Sequence, residues 1–123
     1  MLNFDEVPEF QKDVKYLKKN WRSIPNDIEK VKLVITPLYV EIEGVNIKEL
    51  REQFFATKRA TILQVGDGFE VVKMRLDCAS LGNDKKTRLV FVAMIRDNQV
   101  KFIELYAKNS NEREDKARIK RYI

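Results

Sequence analysis

The 123-residue sequence contains no histidine, a single cysteine, three prolines and four glycines. Histidine is the side chain whose ordinary titration falls near neutral pH. Any acid or base at work here must therefore be a carboxylate, lysine, tyrosine or thiol with a shifted pKa. The same absence excludes zinc sites built from histidine and cysteine, and Cys78 has no partner for an internal disulfide. So few prolines and glycines exclude linker-rich and collagen-like chains, and no segment recurs at a fixed period. The longest clear apolar run, Leu89 to Ile95, is strand-sized and far below the roughly 20 residues of a membrane helix, so no membrane partner is expected. The opening MLNFDEVPEF has no basic stretch ahead of a hydrophobic block, unlike a secretory signal, and a cytoplasmic location is the expectation.

What the chain does have is 44% hydrophobic and 35% charged residues, enough for one modest core under a charged surface. Residues 1–123 are read as one domain, with no room for a separate cofactor domain. Charge is unevenly placed. Met1 to Gly68 carries 11 basic and 11 acidic residues, and Phe69 to Ile123 carries 13 basic and 8 acidic, so the formal +5 resides in the second part. A basic half suits a polyanionic partner, although a surface merely solvated by lysine reads alike.

Leu2 to Asp5 alternates like a short edge strand. Pro8 fits a first helical turn, with Phe10, Val14, Leu17 and Trp21 on one stripe; Ser23 can cap a second helix carrying Ile28, Val31, Ile35 and Leu38, which Pro37 should end or kink. These two helices read as an antiparallel hairpin covering one face of something else. Ile47, Leu50 and Phe54 suggest a short helix after Gly44, while Phe55 to Gln64 reads as loop or strand. The period becomes two from Phe69. Val72, Met74, Leu76 and Cys78 face a core, and Val71, Lys73, Arg75 and Asp77 make an opposite, cationic face. A turn at Ser80 to Asp84 leads to the continuously apolar strand Leu89 to Ile95. After a turn at Asp97 and Asn98, Ile103, Leu105 and Ala107 oppose Phe102, Glu104, Tyr106 and Lys108. The charged tail from Asn109 is expected to be a short surface helix or to fray, its run Glu112 to Arg121 a solvated face. The fold class is thus α+β: an N-terminal helical hairpin packed on a small, mainly antiparallel sheet of about four strands, with a short C-terminal helix.

Alternation brings Lys73 and Arg75 to one face and Tyr106 and Lys108 to one face, with Arg88 at the root of the strand between them in sequence. If register joins these faces, the result is a cationic platform with an aromatic edge. Cleaving a phosphodiester without a metal requires a group to deprotonate the 2′ hydroxyl, charge to stabilise the phosphate and a proton for the leaving oxygen; arginine and lysine suit the second role. Lysine serves as base only where neighbouring positive charge and burial lower its pKa. The same alternation also suits cations that only solvate a sheet, and Tyr106 suits a strand aromatic. Lys85 and Lys86, in a loop, suit electrostatic contact with phosphate. Cys78 alternates with core residues and reads as an inert buried thiol.

Three strings carry a resemblance: FDEVPEFQKDVKYLKKNW at residues 4–21, FEVVKMRLD from Phe69, and KTRLVFVAMIRDNQVKFIELYAKNSNERED from Lys86. In this order they resemble the RelE/ParE superfamily of type II toxins, and its RelE and HigB branch in particular, over most of the chain outside 40–66. The resemblance implies a RelE-like fold and an endonuclease that cleaves mRNA, commonly on the ribosome. It also implies neutralisation by a cognate antitoxin and no metal or other cofactor. Carried over by position, Lys73 is the general base, Arg75 and Arg88 stabilise the phosphate, Tyr106 and Lys108 end the last strand with Lys108 on the leaving-group side, and Lys85 and Lys86 bind RNA. Many members place a histidine or tyrosine in the C-terminal segment, and this chain has neither between Asn109 and Arg121. Two other readings share the fold: a ParE-like gyrase inhibitor, and a catalytically inactive protein that binds RNA or antitoxin.

Overall fold

The structure is a computed structural model that describes residues 1–108 and 113–123. Its elements run β1 (Asn3–Glu6), α1 (Pro8–Leu17), α2 (Ile24–Tyr39), α3 (Ile47–Phe55), β2 (Ala60–Gly66), β3 (Phe69–Arg75), β4 (Thr87–Met94), β5 (Gln99–Ala107) and α4 (Lys116–Arg121). The strands form one sheet in the order β1-β5-β4-β3-β2. β1 lies parallel to β5, and the other neighbours are antiparallel.

The α+β class holds, with two corrections to its details. The sheet has five strands rather than four, because residues 60–66 pair with β3. That strand is masked in the sequence by a register shift between Ile62 and Gln64, which breaks the period-two pattern at Leu63. The helical layer is also more than a hairpin, since α3 joins α1 and α2 against the same sheet face. α1 lies along β5, with Phe10 5.3 Å from Phe102 between ring centres. α2 packs Tyr39 edge-on against Phe91. The stripe Ile28, Val31, Ile35 and Leu38 is buried as its spacing requires.

Three local expectations change. Trp21 lies beyond the end of α1. Ser23 makes no side-chain cap; its hydroxyl donates to Asp27 at 2.7 Å and accepts from the Ser80 N–H at 2.9 Å, tying the loop after β3 to the start of α2. Pro37 does not end α2, which runs to Tyr39. The carbonyl left without a donor is that of Leu33, an exposed residue whose backbone can turn to water.

One polar cluster fastens the helical layer. The Glu70 side chain, 6% exposed, accepts from Tyr39 Oη at 2.6 Å and from Arg51 at 2.8 and 3.0 Å. Arg51 lies 5.2 Å from the ring centres of both Tyr39 and Phe55. Glu70 thus holds α2 and α3 on β3, and Glu70→Ala strands the Arg51 charge and the Tyr39 hydroxyl. The Arg51 side chain remains 25% exposed, so the loss is about 2–3 kcal/mol, less than for a fully enclosed pair. Urea unfolding should show a lower midpoint with unchanged slope, and Tyr39→Phe a smaller drop, about 1 kcal/mol.

Candidate nucleic-acid interface

The face of the sheet opposite α1–α3 collects the expected cations through strand register. Arg75 stands directly opposite Arg88, and Arg88 directly opposite Tyr106. Residues paired across an antiparallel ladder share a face, so these three form one row across β3, β4 and β5. The next row places Lys73 opposite Val90, and Val90 opposite Glu104. Past the strand ends, the Lys108 N–H donates to the Lys86 carbonyl at 2.7 Å, carrying the ladder one step further. Lys85 takes another course: it pairs with Asp77 at 3.3 Å, which also meets Arg59 at 3.2 Å. Lys86 pairs with Asp84 at 3.4 Å.

The arginines of this row differ from most of the others, Arg22 and Arg113 also lacking a carboxylate partner among the described residues. Arg51, Arg59, Arg96, Arg118 and Arg121 each meet a carboxylate. Arg75 and Arg88 have none among the described residues. The Arg88 guanidinium donates to the backbone carbonyls of Lys85 and Thr87. Arg75 Nε is buried with no acceptor among the described residues. Burial, and then the neighbouring Arg75 charge, lower the Arg88 pKa. Two adjacent guanidiniums repel, and an anion shared between them relieves the repulsion and accepts their free N–H groups. Tyr106, only 4% exposed, has its phenol pushed up to about 12, first by burial and then by Glu114 and Glu104, with Arg88 opposing. It is a hydrogen-bond donor at neutral pH, not a base.

This face is not the open cationic surface expected: the tail forms the short surface helix expected, its charged side largely exposed, but Ile119 is buried against the sheet. Val71, Val90 and Val92 on it are fully buried, and α4 docks over it. β1 ends at Glu6, leaving the outer edge of β5 unpaired beyond Phe102. Asp13 from α1 fills part of that edge by accepting the Leu105 N–H at 3.0 Å, and Arg118 binds Asp13 at 2.6 Å and the Ile103 carbonyl at 3.0 Å. Glu104, 4% exposed, accepts the Asp115 N–H at 2.8 Å. Glu9 accepts from Tyr122 Oη at 2.5 Å and Arg121 at 2.7 Å. Glu114, with its side chain 10% exposed, lies 3.4 Å from Lys73 Nζ. Glu112 lies outside the described residues.

The Lys73 side chain, the base that the resemblance implies, is thus engaged by a carboxylate. Glu114 is the carboxylate beside Lys73, and sequence reading missed it. Its contact joins positions 41 residues apart, and no local pattern marks it. Lys108 is exposed, with no ion-pair partner among the described residues. A cavity of about 750 Å³ between β2, β3 and α4, bordered by Leu63, Val71, Glu114, Ile119 and Lys120, lies beside the row without including its arginines. No group of three or more cysteine, aspartate or glutamate residues that could hold a metal occurs among the described residues. None of the described helices is long and apolar enough to cross a membrane.

These features define an α+β protein with a half-covered cationic row on one sheet face. No protein-family model, curated protein or solved structure matches the chain.

The Glu9 contacts generate an acid response. Tyr122 first, and then Arg121, lower the Glu9 carboxyl from 4.5 to about 2. Its folded pKa is depressed, so the stabilisation of the tail is complete above 4.5 and is lost as pH falls toward about 2. Hydrogen exchange should show the Ile119 amide losing protection in that window before the β4 amides do, and Glu9→Gln should weaken its protection already at neutral pH.

Proposed function

We propose that this protein is a metal-independent endoribonuclease of the RelE and HigB kind, the toxin of a toxin–antitoxin pair, cleaving mRNA on the ribosome in the cytoplasm. The observation that carries this reading is the Arg75–Arg88–Tyr106 row, two carboxylate-free guanidiniums side by side with a buried tyrosine. The order of strand, helices and antiparallel sheet, with the matched strings in place, supports a RelE-like fold for residues 1–123.

The scissile phosphate lies between Arg75 and Arg88, whose permanent charges stabilise the dianionic transition state without a metal. Glu114, oriented by Lys73, takes the proton of the attacking 2′ hydroxyl as its oxygen bonds to phosphorus. The bond to the 5′ oxygen breaks, and Lys108 supplies the proton to that leaving oxygen. The products are a 2′,3′-cyclic phosphate and a 5′ hydroxyl. Tyr106 is a positioning residue that braces Arg88 from within the sheet. Lys86 and Lys85 attract the flanking RNA. An antitoxin segment, acidic and apolar, folds over the same cations and covers them.

A second reading has its own observation: Lys73 is occupied by Glu114 and Tyr106 is held protonated, so the face grips RNA without cutting it. Mapping message ends after induction decides between them. The nuclease reading expects new 5′ ends, reduced about 10²- to 10³-fold by Arg75→Ala, and by Arg88→Lys as well, since lysine cannot make the bidentate contact. Glu114→Gln abolishes cleavage and leaves RNA binding intact. Uncut transcripts in cells with normal translation overturn the nuclease. Salt-sensitive RNA binding in the same protein then leaves the second reading standing.

A further inference from the structure

The cationic ladder leaves the sheet at Lys86 and Lys108, and beside that exit stands the only tryptophan of the chain. The ammonium of Lys86 lies 5.3 Å from the centre of the Trp21 ring. α1 sets this position. Val7 donates to the Phe102 carbonyl and Asp13 accepts from Leu105, so the helix runs along the outer edge of β5 toward its C-terminal end, and the Trp21 N–H closes on the Leu17 carbonyl at 3.0 Å. Trp21 is only partly buried. Its neighbours Lys18, Lys19 and Arg22 are exposed, and none meets a carboxylate among the described residues.

The indole packs one side against the core and stays partly in water, with Lys86 at its ring and Lys18, Lys19 and Arg22 close in sequence, an arrangement that suits a nucleic-acid strand. Such proteins combine a positive track for the backbone with aromatic faces on which bases stack. Here the two parts are one strand step apart. Lys86 and Arg88 are two residues from each other, so their Cα atoms lie about 7 Å apart along the extended chain. A phosphate on the arginines therefore places a neighbouring nucleotide within reach of Trp21, and Lys86 can move from the ring to that phosphate.

We infer that Trp21 is a stacking platform for one nucleobase of a single-stranded RNA whose backbone crosses Arg75, Arg88 and Lys86. The inference rests on the RNA-binding reading of this face and adds the position of a base. Trp21 reports on itself, because no other residue contributes tryptophan emission. A short oligoadenylate should quench that emission on binding, and inorganic polyphosphate, which carries charge without bases, should bind and leave it unchanged. Trp21→Leu should weaken oligoadenylate binding about tenfold with polyphosphate affinity unaltered, and Trp21→Phe should recover most of the loss. Equal oligoadenylate affinity in the wild type and Trp21→Leu, or equal quenching by both polyanions, overturns the platform and leaves RNA binding intact. Failure of the wild type to bind oligoadenylate overturns both. Should Trp21→Leu lose its native circular dichroism, the wild-type quenching comparison decides alone.

Discussion

The repulsion between Arg75 and Arg88 is the constraint around which the second sheet face is organised. Like charges placed directly across a ladder destabilise it by roughly 0.2–1 kcal/mol, and a register slip would separate them. The slip is blocked from the other face. Val72, Met74, Leu89, Phe91 and Phe102 are fully or almost fully buried beneath α1–α3. Moving β3 or β4 by one residue would turn that entire set toward α4. Core burial is worth several times the repulsion, so the apolar face dictates where the charged one falls. The guanidiniums are adjacent because the hydrophobic pattern leaves them no alternative.

The C-terminal segment answers a second constraint, the unfinished edge of β5. With β1 only four residues long, the backbone around the Ile103 irregularity lacks a strand partner. Asp13 and Arg118 supply one between them, a carboxylate for the Leu105 N–H and a guanidinium for the Ile103 carbonyl. A six-residue helix has little stability alone. α4 persists through Asp13, Glu104 and Glu9, each on an element laid down far earlier in the chain or deep in the sheet. The same docking delivers Glu114 to Lys73. An anionic group therefore already lies within the cationic face, beside the arginines but not upon them.

Legibility in the sequence followed how local each cause is. The buried stripe of α2 and the turn at Asp97 and Asn98 arise from neighbours a few positions apart, and both were readable. So was β4, whose unbroken apolar run matches a strand covered on both sides. β2 was left open because its shift near Leu63 erases the alternation that identifies a strand. Trp21 fits the stripe of α1 by spacing, yet α1 ends before it. The docking of α4 was invisible for a different reason: Asp13 and Arg118 are 105 residues apart, and either alone reads as an ordinary surface charge. Lys73 and Arg75 could be placed on one face and Tyr106 and Lys108 on one face, but that register joins these faces through Arg88, and that Arg75 and Arg88 lack carboxylates among the described residues while Lys73 has one, requires the assembled fold.

The inventory of protons limits what this face can do. The chain has no histidine, and burial raises the one thiol, Cys78, with the sulfur enclosed near Ser23. Burial also raises the Glu104 carboxyl, and its oxygen is occupied by the Asp115 N–H. Tyr106 stays protonated. On the proposed reading, phosphate binding by arginine is independent of pH across the neutral range, and proton removal falls to Glu114. Grip and chemistry then depend on separate groups. The grip belongs to strands fixed by the core, and the proton acceptor arrives on a segment held by a handful of polar contacts. On that reading the hold on RNA survives a shift of the C-terminal segment, but the base does not.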